Sequence, residues 1–429
     1  MKRSTKLSLL STAVLGATAL VLSGCAGGTA AEEYDPDEQV SITFTWWGND
    51  DRAQRYNDLI DRFNEEYPNI EVKGSFTDFA GYWTQRQTEA AGGGLPDVMQ
   101  FDYSYLRQYA ENGLITDLSS FEDVDTSAIS DSLLGTGQLD GTQYGLPLGY
   151  STWATFLNDD LLAEYGVEPY AGGTSYEDYS AWMADATEKS GGAVFGGTDY
   201  SQRIQNFEMM LRAGGGNLFT EDGELGFDED QLREFWNLGA ADIESGAVVP
   251  QQQLAEIDPI SGFGANLTES ELSWSNFIAS YLADSGASSV TMAAPPTFED
   301  GSQDLYQQAG LQMVVSSQSE HPTAAAIFLD YVVNSPEAGE IFGTSLGFPA
   351  SETKLAGATL EGPDQQVADF LDSVSDRIGD APALPVNGYG SIEQTFWDLG
   401  KEIGLGTTSV DDAVSRFFSE ADVVLSANS

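Results

Sequence analysis

Ser41-Ile42-Thr43-Phe44-Thr45-Trp46-Trp47 is the stretch that decides the fold. Ile42, Phe44 and Trp46 alternate with Ser and Thr, the two-residue period of a strand. Gly48-Asn49-Asp50 interrupts it, and Asp50 or Asp51 is placed to cap a following helix. Tyr56, Leu59, Ile60, Phe63 and Tyr67 recur at helical spacing until Pro68-Asn69, and Ile70-Glu71-Val72 reads as a second strand. One helix between two strands is a βαβ unit, with parallel strands and a right-handed crossover. The chain is therefore α/β.

The pattern continues outward. Val98-Met99-Gln100-Phe101 is a short strand behind a Gly-Gly-Gly-Leu-Pro-Asp turn, and Ser104 to Asn112 is a helix closed by Gly113. Gln143 to Gly149 is extended and carries glycine and proline, as a crossover between domains does. Helices are expected near residues 176–189, 202–212 and 230–244, then strands at 288–293 and 312–316. Five more helices close the chain, near 323–334, 335–344, 364–378, 391–403 and 409–425.

At the other end, Lys2, Arg3 and Lys6 precede an apolar run from Leu7 to Leu22, and the run ends in Leu22-Ser23-Gly24-Cys25. A basic start, a short apolar segment and a small-residue ending read as a secretory signal peptide over residues 1–24. Cys25 is the single cysteine, and the four-residue ending resembles the bacterial lipobox, in which that sulfur is lipidated. The alternative is an ordinary secretion signal with an incidental cysteine. Residues 25–39 are small, polar and acidic, a flexible tether. No later stretch approaches the ~20 apolar residues of a membrane-spanning helix.

The 429 residues hold 68 acids against 17 lysines and arginines, a net charge of −51. Such a field repels phosphate backbones and argues against nucleic acid as a partner. It fits a solvated acidic surface, or a cationic ligand such as a polyamine. One histidine, His321, and one cysteine leave a zinc site or a Ser-His-Asp triad short of residues. Carboxylate pairs that would hydrolyse a glycoside arise by chance among so many acids. The expectation is a binding protein rather than an enzyme, without cofactor or metal.

The order of motifs resembles a known family. Its parts are Thr45-Trp46-Trp47-Gly48, Leu95-Pro96-Asp97-Val98, Gly113-Leu114-Ile115-Thr116-Asp117-Leu118 and Tyr144-Gly145-Leu146-Pro147. Gly214-Gly215-Gly216-Asn217-Leu218-Phe219, Trp274-Ser275-Asn276, the run from His321 to Leu329, Asn334-Ser335-Pro336-Glu337-Ala338 and Gly347-Phe348-Pro349-Ala350-Ser351 follow. From Ser41 to Val424 the chain resembles the extracellular solute-binding proteins, family 1, of ABC importers, a maltose-binding-protein-like group that takes up carbohydrate. The resemblance implies a two-lobe periplasmic-binding-protein fold of the class II type, with several hinge crossings and the ligand in the cleft between lobes. Lobe 1 is expected at 40–148 and 286–334, lobe 2 at 149–285 and 335–429. It further implies a monomer on the extracytoplasmic face of a bacterial, Gram-positive membrane. There it would capture a sugar or oligosaccharide by lobe closure and deliver it to the transmembrane subunits of a permease. Leu267 to Leu272 departs from the Gly-Lys-Ala-Ala-Met-like strand common in the family, and the strand from Gln312 to Ser316 lacks its usual lysine. Both departures bear on which ligand is taken.

A sugar presents apolar C–H faces and a rim of hydroxyls, so its site pairs aromatic platforms with Asp, Asn, Gln or Arg. Trp46-Trp47-Gly48-Asn49-Asp50 mixes both kinds, with Trp47 expected to stack in the cleft unless both tryptophans pack inside. Asp102 ends a strand and is either a hydroxyl acceptor or a helix cap. Tyr82, beside Trp83, precedes a polar helix face. Tyr150 follows the expected hinge at a position the family often uses, and Trp274 and Asn276 carry the Trp-Ser-Asn match. Gly347 and Phe348 combine close backbone approach with an aromatic ring, and Tyr389 lies between two glycines as an exposed-loop aromatic. Arg203 is a scarce cation, for a ligand or for a surface ion pair.

Overall fold

The computed structural model describes residues 34–220, 222–258 and 260–428. The signal peptide, the lipidation of Cys25 and the tether up to residue 33 lie outside the described residues. The end of the expected tether is held to the fold: the Tyr34 hydroxyl donates to Asn69 Oδ1 at 2.8 Å, and Asn69 Nδ2 donates to the Glu38 carbonyl at 3.0 Å. No helix among the described residues is long and apolar enough to cross a membrane.

Eleven strands occur among the described residues: β1 (Val40–Trp47), β2 (Ile70–Thr77), β3 (Val98–Asp102), β4 (Gln138–Leu139), β5 (Thr142–Gln143), β6 (Leu146–Ser151), β7 (Trp153–Asn158), β8 (Ser270–Trp274), β9 (Val290–Ala293), β10 (Gln308–Val315) and β11 (Phe348–Pro349). β11-β6-β10-β3-β1-β2 form a six-stranded sheet, β8-β7-β9 a three-stranded one, and β4-β5 a small hairpin. β1 runs parallel to β2 from Val40 opposite Ile70 to Trp47 opposite Thr77, as the βαβ reading requires. The helix between them, Asp50–Glu66, is capped by Asn49, which accepts from the Arg52 amide, rather than by either aspartate.

Each sheet organises its own core. One face of the large sheet buries Phe44 and Trp46 against Tyr56 and Phe328. The opposite face buries Trp47, Met99 and Phe101 with Tyr82, Trp83 and Tyr109. The sheet is mixed, parallel at β2-β1-β3 and antiparallel at β3-β10-β6-β11, and helices cover both of its faces. A third, larger core surrounds the small sheet and takes in the C-terminal helices Tyr389–Gly404 and Val410–Asn428.

The chain passes between the two lobes at Thr152, at Tyr306–Gln307 and between helices Glu352–Gly357 and Pro363–Ser373. The expected lobe boundaries differ from this partition in three places, the smallest being residues 149–151, which fall in the span assigned to lobe 2 but complete β6 of the large sheet. β9 falls in the span assigned to lobe 1, yet it pairs antiparallel with β7, Phe156 opposite Met292, in the small sheet. Helix Pro336–Phe342 falls in the span assigned to lobe 2, yet Ala338 and Phe342 are buried in the large-sheet core, Phe342 lying 4.8 Å from the Tyr56 ring. Alternation identifies a strand but not its partner, and all three segments flank a crossing.

Glycine is required where β11 approaches the end of β6, beside the first crossing. Gly347 has φ +92°, and a Cβ there would lie 3.0 Å from the Tyr150 amide; a Cβ on Gly149 would lie 2.6 Å from the Leu346 carbonyl. These two glycines let β11 lie against the end of β6.

Candidate functional site

A cleft of about 780 Å³ opens between the lobes. Helix Tyr103–Glu111, which starts at the end of β3, contributes Tyr103 and Arg107 from the large-sheet lobe. Helix Ile204–Ala213 contributes Gln205, Glu208 and Arg212 from the other, three residues on one polar face. Trp274 at the end of β8, Tyr306 at the crossing and Tyr389 at a helix start add rings. Phe219 sits edge-on to Tyr389 at 6.1 Å. Aromatic rings and side-chain amides therefore share one concave surface, within the usual size of a small-molecule site.

The polar groups are already ordered. The Tyr306 hydroxyl donates to Glu208 Oε2 at 2.7 Å, Arg212 lies 5.1 Å from the Tyr306 ring centre, and Trp274 meets Tyr306 edge-on at 5.8 Å. Gln205 Nε2 donates to Glu393 Oε1 at 2.7 Å. Burial pushes the Glu208 carboxyl up to about 7, against the lowering effect of the Tyr306 hydrogen bond and the Arg212 charge. Burial also raises Glu393 and Asp102 above the usual carboxylate range. Near neutral pH the cleft thus offers a carboxyl able to donate as well as accept. Among the described residues no group of three or more His, Cys, Asp or Glu is placed to hold a metal ion.

Of the residues singled out from sequence, the structure brings Trp274 and Tyr389 to the cleft wall. Tyr389 is not in an exposed loop: it opens helix Tyr389–Gly404 and is buried. Trp46 and Trp47 do point to opposite faces of β1, but both faces are covered, leaving them 1% and 9% exposed. Trp47 is enclosed by Phe79, Tyr82 and Trp83 instead of standing free as a stacking surface. Tyr82 is buried with its hydroxyl donating to the Gln100 carbonyl at 2.7 Å. Asn49 is a helix cap and Asp50 the first, exposed residue of that helix.

Asp102 caps the cleft helix through the Ser104 amide at 3.0 Å and abuts Tyr103. Tyr150 is half-buried with its ring 5.6 Å from Phe348, and burial pushes its hydroxyl up to about 12. Gly347 and Phe348 form the strand contact described above, outside the cleft wall. Asn276 is exposed in a short turn behind Trp274. Arg203 lies 4.5 Å from the Trp397 ring centre, beside a second cavity of about 240 Å³ that shares Gln205 with the cleft.

The sequence reading missed Gln205, Glu208, Arg212, Tyr306 and the loop Gly379–Asn387. A signal for part of this existed: Gln205, Glu208 and Arg212 form a polar stripe on a helix whose other residues, Asn206 aside, are apolar.

Comparison with known proteins agrees with this architecture. The chain is 22% identical to an arabinooligosaccharide-binding protein of Bacillus subtilis, over 77% of this chain and 76% of that one. Among solved structures, an extracellular solute-binding protein family 1 member from Alicyclobacillus acidocaldarius superposes with a TM-score of 0.74 at 26% identity, covering 91% of this chain and all of that one. An ABC substrate-binding protein of Listeria monocytogenes, solved with cycloalternan, superposes with a TM-score of 0.75 at 20% identity over 91% of this chain and all of that one. The family described as bacterial extracellular solute-binding protein matches residues 58–363. With two lobes, three crossings and a ring-lined cleft between them, the chain belongs to the bacterial extracellular solute-binding proteins.

Proposed function

We propose that this protein is the substrate receptor of an ABC importer and that its cleft takes a sugar or oligosaccharide. The observation that carries the reading is the cleft wall itself. Tyr103, Trp274, Tyr306 and Tyr389 alternate there with the amides of Gln205 and Gln308 and the carboxyl of Glu208. Rings match the apolar faces of a pyranose or furanose, and amides and carboxyls match its hydroxyls. The relative named as an arabinooligosaccharide-binding protein supports the same class, and the similarly folded Listeria protein was solved with cycloalternan. Binding is the whole of the chemistry: contacts from both lobes favour one relative lobe position, and permease subunits distinguish that position from others.

The rest of the proposal concerns place. The lipobox-like ending at Cys25 supports a lipid anchor on the extracytoplasmic face of the cell membrane. Cys25→Ala should release the protein into the medium; retention at the membrane would argue for another anchor.

The deciding experiment is a thermal-shift screen with arabino-oligosaccharides, maltodextrins, cyclic glucans and polyamines. A ligand at 100 times its dissociation constant stabilises by about 2.7 kcal/mol, a shift of several degrees. Response to one saccharide group supports the reading. Response to polyamines alone would transfer the role to the cleft's carboxyls and overturn the carbohydrate assignment.

A further inference from the structure

Gly379-Asp380-Ala381-Pro382-Ala383-Leu384-Pro385-Val386-Asn387 joins the turn Ser375–Arg377 to helix Tyr389–Gly404, and every one of its residues lines the cleft. Both of its ends are fixed to the small-sheet lobe. Arg377 forks onto the buried carboxylate of Asp304 at 2.7 and 3.0 Å, and the Gly379 amide donates to the Leu305 carbonyl at 2.8 Å. At the far end, Val386 and Tyr389 are buried in the small-sheet core.

Its middle is held by the other lobe. Leu384 is 5% exposed and belongs to the large-sheet cluster of Trp83, Phe101, Tyr109 and Leu139. Arg107 donates through Nε to the Pro385 carbonyl at 3.0 Å and through Nη2 to the Leu384 carbonyl at 3.1 Å. The Ala381 amide donates to Ser132 Oγ at 3.1 Å, and Asn387 Nδ2 donates to Glu111 Oε2 at 3.0 Å. Pro382 and Pro385 fix two φ angles within the span, so it has little slack to pay out as the lobes separate.

We propose that Gly379–Asn387 is a latch across the cleft, with Leu384 as its bolt. Separation of the lobes breaks four hydrogen bonds and draws Leu384 out of the large-sheet cluster. The latch therefore favours the shut arrangement before any ligand arrives. It rests on the lobe-closure reading above, but on no assumption about which solute is bound.

The test uses the unliganded full chain. Small-angle scattering gives the radius of gyration, and hydrogen exchange reports the Ala381 and Gly379 amides in wild type, Leu384→Ala and Asn387→Ala. Asn387→Ala leaves both cores intact and so guards against a folding defect. The latch predicts a larger radius in both variants and Ala381 exchange faster by on the order of tenfold or more in Leu384→Ala. Gly379 should keep its protection. Wild-type radius and Ala381 exchange in both variants would overturn the latch. So would loss of protection at Gly379 with Ala381 still protected, because the segment would then travel with the large-sheet lobe. A silent saccharide panel would remove the carbohydrate reading while leaving this result standing.

Discussion

Tyr306 and Glu208 meet at 2.7 Å, hydroxyl to carboxyl, and join a lobe crossing to the polar face of a cleft helix. The contact sits among rings, and burial raises the Glu208 carboxyl to about 7 although the Tyr306 hydrogen bond itself acts to lower it, so the folded protein holds a proton there that the unfolded chain releases near 4.5. Stability from that proton is complete below the unfolded value and is lost as pH rises from 4.5 to 7. Glu208→Gln keeps the acceptor for Tyr306 without the ionisation. It should stabilise the protein by about 2–3 kcal/mol at pH 8 and scarcely at pH 4.5. Calorimetry at the two pH values checks this; an equal gain at both would show that ionisation of Glu208 is not the cause.

Trp274 and Trp47 should separate binding from folding. Trp274 is half-buried in the cleft wall, so Trp274→Ala should weaken saccharide binding by roughly 1–3 kcal/mol with the melting temperature little changed. Trp47 is packed in the core, so Trp47→Ala should cost about 3–5 kcal/mol of stability. Isothermal titration and urea unfolding of both variants give the comparison. A Trp47→Ala protein of wild-type stability but weakened affinity would return that ring to the site.

Lys354 is a buried amine, 1% exposed, with one long hydrogen bond of 3.4 Å to the Leu148 carbonyl. Burial lowers its ammonium from 10.5 to about 7. The folded state favours the neutral amine, so stability is greatest above pH 10.5 and falls as pH drops toward 7. Lys354→Met keeps the stem and removes the charge, and should raise stability by on the order of 2–4 kcal/mol at pH 7. Denaturant midpoints at pH 7 and 10 test it, with the gain shrinking at the higher pH.

Gly347→Ala places a methyl where φ is +92° and the Tyr150 amide is 3.0 Å away. A cost of about 1–3 kcal/mol is expected, read as a lower urea midpoint. Unchanged stability would show that β11 can lift from β6 without penalty.

Those strands and helices that were readable have local periods; β7 and β8 of the small sheet and helix Ile278–Ser285 were not read. β1 announces itself in seven residues, and its parallel partner follows from the single helix between them. Helix Tyr176–Lys189 has the bounds its pattern suggested. The cleft is a different kind of object. Glu208 and Tyr306 are 98 positions apart, and Arg107 meets Pro385 across 278. No period links such pairs; only the folded lobes bring them together. The tryptophan pair misled for a related reason. Alternation correctly sends Trp46 and Trp47 to opposite faces, but whether the second face is bare depends on helix Phe79–Gly92, whose apolar stripe is weak. Asp102 carried two readings, and the structure shows the cap directly.

Between β6 and β7 stands one residue, Thr152, wholly buried. Its amide donates to Ser275 Oγ at 3.2 Å and its hydroxyl to the Tyr306 carbonyl at 3.3 Å. Two strands of different sheets are thus separated by a single peptide step of about 3.8 Å on either side. Such a joint has no length to give, so the lobes cannot slide past or draw away from each other at that point; they swing. With the proposed lobe closure, occupancy of the cleft would be converted into an angle, and the displacement that angle produces grows with distance from Thr152. A partner that touches the far rims of both lobes can read whether the site is full without ever contacting what fills it.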